Sequence, residues 1–207
     1  MTGKFITIEG IEGAGKTTCI QVVTEVTERQ GISAIHTREP GGTDLGEDLR
    51  NLLLGHKHTG MSDDAELLMM FAARAQHIAQ KIKPALDVGK WVLCDRFTDA
   101  TYAYQGYGRG IPLEKIASLE NWVQGALRPD LTLLMDLPVE VGMERAGKRS
   151  APDRFESEAW DFFERIRKGY LSIAAEQPSR VKVIDASQDL ANVQVQVRAA
   201  VEAFVNT

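Results

Sequence analysis

One run near the start of the chain, Gly10-Ile11-Glu12-Gly13-Ala14-Gly15-Lys16-Thr17, has the residue types and spacing to hold a polyphosphate. It fits the pattern G-x-x-x-x-G-K-[ST] of a P-loop. A polyphosphate carries several negative charges and needs donors that reach it without colliding. Glycines let backbone N–H groups turn inward as an anion-binding nest. A helix starting near Lys16, with Thr17 and Thr18 in its first turn, adds the positive end of its dipole. Lys16 supplies a full charge for the β- and γ-phosphates, and the Thr17 hydroxyl suits Mg²⁺. A glycine-rich structural turn would not require the β-rich run Lys4–Glu9 before the motif or the helical pattern after it.

Those groups need a scaffold. Strand-like runs at Lys4–Glu9, Ser33–Arg38, Trp91–Asp95, Leu131–Leu137 and Val181–Asp185 alternate with helical patterns. This predicts a single α/β domain over residues 1–207, with a mainly parallel five-stranded sheet flanked by helices, the P-loop NTPase fold. The last three runs are nearly continuous in apolar residues, as strands covered on both faces are. Ligands belong at the carboxyl ends of such strands. The net charge of −5 argues against binding a nucleic acid polymer. No apolar run reaches membrane-spanning length, and the start Met-Thr-Gly-Lys reads as no signal peptide. Cys19 and Cys94 read as buried thiols, so a cytoplasmic location is expected.

The strand ends carry the next signals. Arg38 and Glu39 precede the turn Pro40-Gly41-Gly42, close to the P-loop; Arg50 follows on a helix. His56 and His58 lack the companions of a metal site. Asp63 with Glu66 reads as a capping box opening a long helix. On that helix Arg74 is a cation amid apolar residues, with Met70 at i,i+4 and Phe71 at i,i+3. An apolar platform beside a planar donor suits a nucleobase; a snorkelling arginine is the alternative. Trp91 to Asp95 reads as a Walker-B strand whose Asp95 holds Mg²⁺ through water. Arg96 next to it points to a second anion near the γ-phosphate. Thr101 and Gln105 share a face if their segment is helical. Four cations in the ten positions from Arg145 to Arg154 read as a mobile basic loop, a short lid over about 145–156. A long amphipathic helix is expected from Ser157.

Taken together these pieces describe phosphoryl transfer between two anions. Two unit charges ~4 Å apart repel by about 4 kcal/mol at an effective dielectric near 20. Uncompensated, that is about a thousandfold in rate. Arginines and Mg²⁺ are the remedy, and an acceptor phosphate needs no separate general base.

Arg38-Glu-Pro-Gly-Gly-Thr43, Asp95-Arg96-Phe97, Tyr104-Gln105-Gly106 and Asp153-Arg154, with the P-loop, resemble bacterial thymidylate kinase across essentially the whole chain. The resemblance implies transfer of the γ-phosphate of ATP to dTMP with Mg²⁺, in a homodimer. It implies that Glu12 reaches toward the dTMP sugar and phosphate, and that Arg38, Arg96 and more weakly Arg50 hold the acceptor phosphate. Arg74, Thr101 and Gln105 would read the thymine edge, with Tyr104 below the deoxyribose. Arg149 would be the lid arginine on the ATP phosphates, and Arg145 would lie along the adenine. Either Met70 or Phe71 would cover the thymine face. Rival readings are another nucleoside monophosphate kinase of this fold, or a P-loop regulatory switch. A GTPase-type switch should carry an Asn-Lys-x-Asp run, and this chain has none.

Overall fold

The computed structural model describes residues 3–58, 60–147, 154–155 and 158–206. Five strands form one parallel sheet: β1 (Phe5–Glu9), β2 (Ala34–Arg38), β3 (Trp91–Asp95), β4 (Leu131–Asp136) and β5 (Val181–Asp185), in the order β2-β3-β1-β4-β5. Each expected strand is present to within a residue or so. β3 and β4 read as apolar runs because helices cover both faces of the inner strands, β1 among them; Ile6, Ile8, Leu93, Leu133 and Leu134 are fully or almost fully buried. β5 departs from that expectation. It is an edge strand, and its Val183 is 48% exposed.

The helices are α1 (Lys16–Arg29), α2 (Asp44–Leu54), α3 (Asp63–His77), α4 (Lys83–Asp87), α5 (Thr98–Thr101), α6 (Leu113–Gln124), α7 (Val139–Gly147), α8 (Trp160–Glu176) and α9 (Leu190–Val205). A π-helical stretch, Ile78–Ile82, joins α3 to α4, and a second, Tyr102–Gly108, continues α5. That second stretch packs along α8 and carries Tyr104 and Gln105 inward. The amphipathic helix starts at Trp160, after the expected Ser157. Ser157 and Asp153 lie outside the described residues.

Two local expectations are overturned. The N-cap of α3 is Ser62, whose Oγ accepts from Ala65 N at 3.3 Å. Glu66 does not turn back to close a capping box; it is 1% exposed and binds cations from distant segments. The second concerns Arg154, read as one cation of a solvent-facing basic run. It is buried, with Nε donating to Leu53 O at 2.7 Å and Nη2 to Glu66 at 2.5 Å.

The register aligns the strand ends. Ile8 stands beside both Asp95 and Leu133, Arg38 beside Asp95, and Asp136 beside Asp185. Every strand therefore ends in a charged residue at one edge of the sheet: Glu9, Arg38, Asp95, Asp136 and Asp185. Because β1 lies between β3 and β4, the loop leaving it opens at the crevice where the strand order reverses. Gly13 and Gly142 seat that loop on α7: a Cβ on Gly13 would lie 2.0 Å from Gly142 O.

Glu9 is the costly member of this edge. It is fully buried, accepting from Phe97 N at 2.7 Å and from the Tyr170 hydroxyl at 2.8 Å. Burial, then the nearby Asp99 charge, pushes its carboxyl up to about 8. In the unfolded chain the same group ionises near 4.5. Folding therefore takes up a proton between about pH 4.5 and 8, and stability falls as pH rises through that window. Glu9→Gln should flatten the dependence, with the gain over the parent chain growing toward pH 8. Urea denaturation of both proteins from pH 5 to 9 tests this; parallel curves would refute it.

Candidate active site

A cavity of about 230 Å³ opens at the carboxyl edge of the sheet. One wall is the P-loop, where Glu12, Gly13, Ala14, Gly15, Lys16 and Thr17 line it. Gly10, Gly13 and Gly15 have φ of 138°, 72° and 85°, which few residues other than glycine adopt. Gly15 is the N-cap of α1, so the helix begins at Lys16 as the motif demands. Lys16 Nζ donates to Gly10 O at 3.2 Å and Ile11 O at 3.0 Å. Burial, and then the Arg96 charge, pushes its ammonium down to about 8. Gly10, Ile11 and Thr18 shape this loop and helix start without facing the cavity.

The opposite wall carries the second group of predicted residues. Arg50, Met70, Arg74, Arg96, Thr101, Tyr104 and Gln105 all line the same cavity. Arg96 sits at φ 67°, the only non-glycine at positive φ among the described residues. Such strain concentrates at functional sites. This backbone sends Arg96 Nη2 to Glu12 Oε1 at 2.8 Å and Nη1 to the Tyr170 hydroxyl at 3.2 Å. The Tyr104 hydroxyl also donates to Glu12, at 2.7 Å, and the Arg96 guanidinium lies 4.7 Å from the Tyr104 ring. Arg50 Nη1 donates to Pro40 O at 2.8 Å. Burial, then the charge of Arg38, holds Arg50 below its usual value. Burial is the larger cause for both Lys16 and Arg50, and a neighbouring arginine adds to it, as in a cluster of cations that suits an anion.

Arg74 is no snorkelling arginine. It is 2% exposed. Nε donates to Glu39 at 2.7 Å, Nη2 to Thr101 Oγ1 at 2.9 Å and Phe97 O at 3.2 Å. Its Nη1 is buried and has no hydrogen-bond partner among the described residues. A buried unpaired guanidinium nitrogen is expensive, and in a cavity wall it marks a place for a ligand acceptor. Phe71 does not reach the cavity. It packs with Leu67, Ile111 and Ile116, its ring 4.9 Å from the Arg74 guanidinium, and Met70 takes the cavity-facing position.

Arg38 differs too. It is absent from the cavity wall; its side chain is 53% exposed and pairs with Glu47 at 2.8 Å. Arg145, exposed on the last turn of α7, donates to Ala186 O at 2.9 Å and does not line the cavity. Arg149 lies outside the described residues. Three contributors escaped sequence reading. Glu39 holds both Arg74 and His77, whose Nδ1 lies 2.8 Å from Glu39 Oε1. Phe155 lines the cavity and meets Tyr104 edge to face at 5.8 Å. Glu66 holds Gln105 Nε2 at 2.8 Å. The unexplained charge of Arg74 on an apolar helix face was the one local signal for such partners.

Mg²⁺ fits this site. Thr17 and Asp95 both line the cavity, and Asp95 Oδ1 is a buried oxygen with no partner among the described residues. No group of three or more His, Cys, Asp or Glu that could hold a metal alone occurs among the described residues. A site completed by phosphate oxygens and water is therefore the arrangement these residues suit.

The family model described as thymidylate kinase matches residues 8–197. The chain is 55% identical over 204 residues to thymidylate kinase of Alkalilimnicola ehrlichii, covering 98% of this chain and 94% of that one. It is 58% identical over 194 residues to thymidylate kinase of Pseudomonas entomophila, covering 94% and 92%. The crystal structure of thymidylate kinase from Ehrlichia chaffeensis superposes with a TM-score of 0.76 at 35% identity, covering 99% of each chain. With the P-loop, Asp95-Arg96-Phe97 and Tyr104-Gln105-Gly106 gathered on one cavity, this chain belongs to the thymidylate kinase family.

Proposed function

We propose that this chain phosphorylates dTMP to dTDP with ATP as donor. The observation that carries the reading is one cavity with two unlike walls. The P-loop wall suits a polyphosphate; the opposite wall offers arginines, an apolar platform and the unpaired Arg74 Nη1. A hydrolase or switch has no use for the second wall.

In this reading the triphosphate lies in the nest of Gly10 to Thr18, and Lys16 leaves its carbonyl partners for the β- and γ-oxygens. The dTMP phosphate meets Arg96 and Arg50, with Arg38 at the rim. Its base lies over Met70, with Arg74, Thr101 and Gln105 along the edge and Tyr104 beneath the sugar. An oxygen of that phosphate forms the new bond to the γ-phosphorus while the bond to the β–γ bridging oxygen breaks, leaving ADP. Glu12 holds Arg96 and Tyr104 in place for that geometry. Thr17 and Asp95 are the residues that would hold Mg²⁺, which would supply charge neutralisation on the phosphoryl oxygens. By the family resemblance Arg149, outside the described residues, takes the lid role on the ATP phosphates, and Arg145 flanks the adenine.

The reading extends to a homodimer in the cytoplasm. Leu45, Leu52, Leu68 and Trp122 leave apolar surface on α2, α3 and α6, which suits a subunit contact. No helix among the described residues is long and apolar enough to cross a membrane.

ADP release measured with each common nucleoside monophosphate tests the activity; dTMP should be preferred, and equal rates with all acceptors would refute it. Arg96→Ala should weaken dTMP binding by roughly 10- to 100-fold, the worth of a charge-assisted contact. Calorimetry returning parental affinity would remove Arg96 from the acceptor site. Arg149→Ala should lower kcat on the order of a thousandfold while dTMP affinity changes little, since lid charge counts most in the transition state. An unchanged kcat would remove that role.

A further inference from the structure

Glu66 stands outside the cavity yet holds a group that lines it. Its buried carboxylate gathers Gln105 Nε2 at 2.8 Å, Arg154 Nη2 at 2.5 Å and Arg109 Nη2 at 3.3 Å. Arg109 is itself held by Glu158 and lies 4.8 Å from the Phe162 ring; Arg154 is tied to Leu53 O. Glu66 is therefore clamped by two cations that are each fixed at a second point.

A carboxylate accepts and does not donate. The Gln105 amide must turn its nitrogen to Glu66, so its oxygen is the atom left for the cavity. The flipped amide would set oxygen against carboxylate oxygen in a site where both are buried, and that repulsion is not screened by water. Arg74 presents only donors to the same cavity. The wall thus offers a donor beside an acceptor. That pair complements a pyrimidine with a carbonyl at position 4 and an N–H at position 3, as in thymine and uracil. Cytosine reverses both groups.

We propose that Glu66 is a positioning residue for base discrimination: by locking the Gln105 amide with its oxygen toward the cavity, it excludes pyrimidines whose ring nitrogen 3 is an acceptor. The inference rests on reading the cavity as the dTMP site. Glu66 could instead serve only to neutralise Arg109 and Arg154, and the test separates the two roles.

The experiment compares kcat/KM for dTMP and dCMP in the parent enzyme, Glu66→Gln and Arg154→Met. The amide introduced by Glu66→Gln can donate or accept, so the Gln105 amide becomes free to face either way. Glu66→Gln should lower the dTMP-to-dCMP ratio by about tenfold or more, mainly through a higher KM for dTMP, because base contacts are made equally in ground and transition states. Arg154→Met removes the shorter of the two ion pairs that Glu66 makes but leaves the Gln105 partner, and should keep the ratio within about twofold of the parent. If Glu66→Gln does not fold, the charge-balanced double variant Glu66→Gln/Arg154→Met takes its place and should show the same fall. A parental ratio in the Glu66 variant that folds, or an equal fall in Arg154→Met, overturns the proposal while leaving dTMP phosphorylation standing. A parent enzyme inactive on dTMP overturns both.

Discussion

Positive charge gathered at one sheet edge must be held apart from itself, and this requirement orders the site. Lys16, Arg50, Arg74 and Arg96 converge on the cavity from the start of α1, from α2 and α3 and from the end of β3, with Arg38 near them at the end of β2. Alone they would repel by several kcal/mol per close pair, about 4 at ~4 Å in a moderately polar surrounding. The chain answers with carboxylates: Glu12 on Arg96, Glu39 on Arg74 and Glu47 on Arg38. Each fixes the orientation of its cation before any anion arrives. On the proposed reading this is preorganisation: these arginines are oriented in the folded chain before the phosphates bind.

How much of this was legible in the sequence follows from how local each signal is. Inner strands covered on both faces must be apolar, so Leu131–Asp136 and Trp91–Asp95 announced themselves; β5 misled because an edge strand exposes residues such as Val183. The P-loop was legible because glycine at positive φ is a local demand of the backbone. Charge partners were not. Glu66 sits three residues after Asp63 and fits a local capping rule, but its actual partners lie at Gln105, Arg109 and Arg154. Arg154 stands in a run of cations, the usual mark of a solvated loop, and only the fold brings it to Glu66. Phe71 and Met70 are neighbours in sequence, and the rotation of one helix sends Phe71 to Ile111 and Met70 to the cavity. Arg38 was placed correctly at its strand end, yet Glu47 draws it to the rim.

The cost of the arrangement appears beneath the loop. Glu9 closes β1 just before the P-loop, where burial and the Asp99 charge outweigh the groups that favour its ionised form. Its two hydrogen bonds tie the backbone after Arg96 to Tyr170 on α8. Tyr170 in turn touches Arg96. The strained backbone at Arg96, φ 67°, is thus braced on both sides by a group that would be more stable elsewhere. Destabilisation concentrated at such a point is the expected companion of a site whose geometry cannot relax.

Why arginines and not lysines fill the wall opposite the P-loop follows from the same pairing. Among the described residues Lys16 is the sole lysine lining the cavity. A lysine places its charge and its three donors on one nitrogen, so a carboxylate that holds it competes directly with any other anion. A guanidinium is planar with five donors, and one edge can be anchored while another stays free. Arg74 shows this directly: Nε and Nη2 are committed to Glu39, Thr101 and Phe97 O, and Nη1 has no partner among the described residues. Lys16 is the exception that fits the rule. Its partners are the carbonyls of Gly10 and Ile11. Neutral oxygens release a cation to an anion more readily than a carboxylate would, so Lys16 and Arg50, held by carbonyls, are the freer cations of the cavity, and Arg74 and Arg96 are fixed by ion pairs.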